Sequence, residues 1–165
     1  MRLALVALSA AGARSQRQSE SFVLKGAGIR AQEEGLKAAA EGRYAEALPL
    51  LQKASTSAPR GSPIEQQSLA RVRNALGGAH KALGRFDEAA ASFETACTLL
   101  EQSVPVKRGG AVDEDDEDDE DDTTLALRAE AALVRSNLGT VRAELGRPKE
   151  AEELYQRALS HSTRS

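Results

Sequence analysis

Three side chains and one charge run in the 165-residue sequence are of types that do chemistry: His80, Cys97, His161 and the acidic stretch Asp113 to Asp122. A thiol nucleophile needs its base within hydrogen-bond reach. Cys97 falls among Ala89, Phe93, Ala96 and Leu100 at helical spacing, on the side a helix buries, while His161 follows the end of the last apolar pattern. No Cys-His pair results. His80 lies beside the stripe Leu76 to Leu83 and reads as a packed side chain. A single cysteine also closes no internal disulfide and builds no zinc site from several thiolates. The ten consecutive carboxylates do not form a calcium loop of the EF-hand kind. Such a loop needs glycine at its sixth position, where Asp118 stands if Asp113 is first. Unspecific cation attraction is all the run supports, so no metal, no cofactor and no enzyme activity are expected.

Charge divides the chain. The formal net charge is −3, but with the ten acidic residues set aside the remainder holds 22 basic against 15 acidic residues. That mildly basic body shows no clustered basic patch with stacking aromatics, so nucleic acid is not expected as a partner. Alanine dominates the apolar content, and three Phe, two Tyr and no Trp supply the bulk. Closely spaced helices suit that composition better than a sheet.

The elements that position these residues repeat. Leu76-Gly77, Gly84-Arg85-Phe86-Asp87-Glu88-Ala89, Phe93 and Ala96 return as Leu138-Gly139, Gly146-Arg147, Glu150-Ala151, Tyr155 and Ala158. They return more faintly as Gly35, Gly42-Arg43-Tyr44, Glu46-Ala47, Leu51 and Ala54. Self-similarity of this kind marks hairpins that bury their apolar faces on one another. The spacing predicts a helix over about 21–40 with Ile29, Leu36 and Ala39 buried, and a second over 45–57 with Ala47, Leu48, Leu51 and Ala54. A third starts at Pro63 with the stripe Leu69, Val72, Leu76, Ala79, Leu83; a fourth carries Phe86, Ala89, Phe93, Ala96 and Leu100. Asp122 or Thr123 caps the fifth, whose stripe is Leu127, Ala131, Val134, Leu138, Val141, Leu145, and Pro148 opens the sixth with Ala151, Leu154, Tyr155, Ala158 and Leu159.

Two segments stand apart. Residues 1–19 contain no acidic residue; Leu3 to Ala11 is a short apolar run and Ala11-Gly12-Ala13 fits a small-x-small cleavage site. This is expected to be a targeting peptide, secretory or organellar, or else a flexible N-terminus, and it is too short to span a membrane, which takes about 20 apolar residues. Cleavage would place the protein in the secretory pathway or an organelle, and no cleavage in the cytoplasm. Residues 105–122 are expected to be a disordered acidic linker, because neighbouring carboxylates resist compaction. Residues 20–104 then hold the first two hairpins and 123–165 the third.

These residues resemble the tetratricopeptide repeat, a helix-turn-helix unit of about 34 residues. Aligned on the inter-helix glycines, the repeats cover 28–61, 70–103 and 132–165. The run Glu150 to Leu159 is similar to repeats of the kinesin light chain type. The resemblance implies an all-α fold, a short right-handed superhelix or α-solenoid, acting as a non-catalytic scaffold for another protein. It places a concave groove on the first helix of each repeat, lined by Ile29, Gln32, Leu36 and Ala39, by Arg71, Asn74, Gly78 and Lys81, and by Leu133, Ser136, Thr140 and Glu144. Of these, Gln32, Leu36, Arg71, Asn74, Lys81, Ser136, Thr140 and Glu144 are the expected partner contacts, to a peptide or a helix. Pro148 stands where the family has an aromatic, and the sequence stops directly after the last repeat without the capping helix that family members carry. Either the chain is a fragment of a longer one, or its last apolar face is expected to pair with something, self-association with a second copy included. An alternative makes the acidic run a chaperone-like shield for a basic client such as histones, similar to histone-binding proteins with an acidic insertion among such repeats.

Overall fold

The computed structural model describes residues 26–59, 61–104 and 122–162. The expected targeting peptide and all but the last residue of the expected acidic linker lie outside the described residues. Six α-helices and no strand occur among the described residues: α1 (26–40), α2 (Tyr44–Ser57), α3 (Pro63–Ala82), α4 (Phe86–Ser103), α5 (Asp122–Glu144) and α6 (Pro148–Ser162). None of them is long and apolar enough to cross a membrane.

Three turns of the same build join the helices into pairs. Gly42, Gly84 and Gly146 have φ of 76°, 72° and 73°, the left-handed conformation that glycine adopts without steric cost. In each, the glycine N–H and the following arginine N–H turn back onto the preceding helix; Gly84 donates to the Lys81 carbonyl at 3.0 Å and Arg85 to that of His80 at 2.9 Å. This is the Schellman arrangement that satisfies the last carbonyls of a helix. α3 starts with equal definition. Ser62 Oγ accepts from the Glu65 N–H, the Glu65 carboxylate accepts from the Ser62 N–H, and Pro63 occupies the first helical position.

Within each pair the helices close over a glycine. Gly35 faces Leu51, Gly77 faces Phe93 and Gly139 faces Tyr155, at spacings where a Cβ would collide with the larger residue. The core lies along two seams. One gathers Ala31, Ala38, Leu48, Leu51, Val72 and Leu76 from α1, α2 and α3; the other gathers Phe93, Leu100, Leu127, Val134, Leu138 and Val141 from α4 and α5. Ion pairs flank the second seam, Arg135 to Glu101 at 2.6 Å and Arg142 to Glu94.

Two apolar expectations are corrected. Ile29 is 59% exposed: α1 turns Gly28, Ala31, Gly35 and Ala38 toward α2, because only small residues fit at the approach set by Ser57 and Leu51. Leu83 is also exposed, since it lies past the last residue of α3, in the turn, and does not continue the stripe. α5 includes Asp122 as well as Thr123, so both lie inside the helix and neither is its cap.

Candidate functional site

The first helices of the three pairs, α1, α3 and α5, lie side by side, and the expected contact residues are found where they adjoin. Gln32 Nε2 donates to Ser68 Oγ at 2.9 Å and Oε1 faces the same hydroxyl at 3.2 Å, joining α1 to α3. Asn137 Nδ2 donates to Asn74 Oδ1 at 3.4 Å and Arg71 Nε to Glu130 Oε1 at 3.2 Å, joining α3 to α5. Three of the eight expected residues thus make bonds among α1, α3 and α5. Leu36 is half-buried against the first seam, and Thr140, bonded to the Ser136 carbonyl at 3.1 Å, accepts from Tyr155 Oη at 3.3 Å. Lys81 is half-buried and Glu144 exposed, and neither forms an ion pair among the described residues.

The reactive side chains are withdrawn. Cys97 is buried against α5, and burial pushes its thiol up to about 11, so the thiolate needed for nucleophilic or redox chemistry is scarce at neutral pH. His80 is buried with Nδ1 lacking a hydrogen-bond partner among the described residues. That burial holds its pKa below the ordinary value, against the pull of the Glu88 carboxylate and with a smaller push from Arg85. Among the described residues no group of three His, Cys, Asp or Glu is placed to hold a metal ion.

Family models described as tetratricopeptide repeat match residues 35–102 and 134–165. The chain belongs to the tetratricopeptide repeat family. A solved structure of a MamA mutant is similar in fold, with a TM-score of 0.55 and 23% identity over 87% of this chain and 84% of that one. No curated protein matches the chain. The repeats make it a scaffold for protein–protein interaction, with helices α1, α3 and α5 as the A helices and α2, α4 and α6 as the B helices.

One feature of the repeat surface was not legible in the sequence. A cavity of about 380 Å³ opens where the N-terminal half of α1, the end of α2 and the start of α3 meet, between repeats 1 and 2. Its walls include Ile29, Gln32, Ala54, Ala58, Pro59 and Ile64. The cavity coincides with the long spacing of the first two repeats, 42 residues against a family norm of about 34, where the residues from Pro63 on extend the start of α3.

Proposed function

We propose that this protein holds an extended segment or a helix of a partner protein against the face formed by α1, α3 and α5, and catalyses no reaction. Gly78 carries this reading. Glycine inside a helix costs about 1 kcal/mol relative to alanine. At Gly77 packing against Phe93 accounts for it, but a Cβ at Gly78 would meet nothing within 4 Å. Bare backbone facing open space in the central A helix lets a partner's main chain come close. The residues offered to that partner are Gln32, Leu36, Arg71, Asn74, Lys81, Ser136, Thr140 and Glu144. The exposed Arg71–Glu130 pair is worth at most about 1 kcal/mol, so Arg71 exchanges readily onto a carboxylate of the partner.

Affinity capture from the native source tests this. Gly78→Leu fills the open space without touching the core, and Lys81→Ala removes an uncommitted charge. Both variants are expected to lose a protein that the unmodified chain retains, with helical circular dichroism unchanged. Equal retention of that protein by all three chains would place its binding surface elsewhere.

A further inference from the structure

The cavity between repeats 1 and 2 has a chemistry of its own. The chain contains two isoleucines, Ile29 and Ile64. Both line this cavity, and they are 59% and 77% exposed. Leaving large aliphatic side chains in water beside a concave surface is unfavourable unless something covers them, at about 25 cal/mol for each Å². The polar side chains of the wall are already hydrogen-bonded. Gln32 and Ser68 bond reciprocally, Ser57 Oγ donates to the Lys53 carbonyl at 2.9 Å, and the Glu65 carboxylate accepts from the N–H groups of Gly61 and Ser62. A sugar, nucleotide or charged group entering here would lose its hydration without matching partners among these side chains. An apolar group would lose nothing and would cover both isoleucines.

We infer that the cavity receives one large apolar side chain, aliphatic or aromatic, from the partner segment held on the A helices. Its volume of about 380 Å³ is at the small end of the range for ligand pockets, which suits a side chain better than a cofactor. Gln32 belongs both to the cavity wall and to the A-helix face, so the two surfaces are continuous. The inference rests on the proposed function, because the side chain belongs to the segment that the A-helix face binds.

Both isoleucines are at the site, so labelling Ile δ1 methyls in the full chain gives two NMR signals that report on it alone. Titration with N-acetyl-L-leucinamide is expected to shift both signals saturably, and N-acetylglycinamide to leave them in place. Ile64→Asp puts an acidic residue at the start of α3, where a helix favours it, and should weaken the probe about ten-fold at Ile29 without loss of helicity. Gly78→Leu should leave probe binding intact while partner capture is lost. No shift, or equal shifts with the glycine probe, would overturn the cavity's assignment. In the free protein, nuclear Overhauser contacts from either methyl to residues 1–25 would give the cavity to the chain's own N-terminal segment, and concentration-dependent shifts would give it to a second copy. Either result overturns the assignment to a partner. Retained capture by Gly78→Leu with a normal probe response would instead overturn the A-helix reading and leave an apolar pocket without its segment.

Discussion

A Cβ added at Gly77 would lie 2.6 Å from Cε1 of Phe93, with two further ring carbons within 2.8 Å. Phe93 is 1% exposed and among the bulkiest fully buried side chains, so its ring has nowhere to go. The next residue, Gly78, has open space at the same place. Two adjacent glycines on one helix therefore do different things. Gly77 sets the distance between α3 and α4, and Gly78, about 100° further round the helix, leaves its own side bare.

That contrast predicts opposite signs for one chemical change. Gly78→Ala should raise stability by about 1 kcal/mol, the helix-propensity difference. Gly77→Ala gains the same propensity but overpacks a closed core, which costs about 1–3 kcal/mol, so the net is a loss or at best no gain. Gly139→Ala should be milder than Gly77→Ala, because the Tyr155 ring opposite is 38% exposed and can yield. Urea unfolding of the three variants checks the order, and a Gly77→Ala protein more stable than Gly78→Ala would contradict it.

His80 gives the fold a defined response to acid. Its pKa in the folded protein is lowered from 6.5, chiefly by burial. The unfolded chain therefore binds the proton more readily, and the stabilisation present above about pH 6.5 is lost as pH falls from there toward the lower folded value. Two repeat-mates clarify the site. The position 62 residues on is Arg142, which reaches Glu94 and lies 3.4 Å from Glu150; Glu88 is the counterpart of Glu150. His80→Leu should flatten the stability profile between pH 7 and 5 relative to the unmodified chain. Parallel profiles for the two proteins would mean that other groups carry the response.

The repeat pattern read from the sequence accounts for the turns and for the glycine-to-bulky pairs, since each is a local device that must recur wherever a hairpin closes. Gly42, Gly84 and Gly146 share one conformation, and Leu51, Phe93 and Tyr155 share one role. The bonds Gln32–Ser68, Arg71–Glu130 and Asn74–Asn137 were not legible. Their partners are 36 to 63 residues apart, and whether they meet depends on the angle between successive hairpins, which no local pattern encodes. The misplacement of Ile29 has a related origin. Periodicity ranks residues by hydrophobicity, whereas the close approach of α1 to α2 selects for small size, so glycine and alanine displaced the isoleucine from the interface. On α6 Leu159 is 64% exposed, while its repeat-mates Cys97 and Ser55 are buried.

Cys97 should behave as a packing residue. With its thiol pushed up to about 11 and its side chain buried, reaction with a disulfide reagent at pH 7.5 should wait on opening of the α4–α5 seam. The rate is expected to rise with urea well before global unfolding, in step with loss of the seam. Fast labelling of the native protein, at the speed of a free thiol, would show that the seam stands open.

The ion pairs separate by environment. Arg43 joins Glu41 and Glu46 within one exposed turn, and although the pairing lowers the Glu41 pKa, Arg43→Ala should leave the melting temperature unmoved. Arg142 is different: its side chain is largely shielded and bridges Glu94 on the preceding repeat and Glu150 on its own B helix. Removing it uncouples α5 from two helices at once. A double-mutant cycle on Arg142 and Glu94 should give a coupling of about 0.5–1.5 kcal/mol that shrinks with added salt. A zero coupling, with Arg142→Ala no worse than Arg43→Ala, would mean that the apolar core of Phe93, Leu138 and Val141 holds repeats 2 and 3 together without help from the charges beside it.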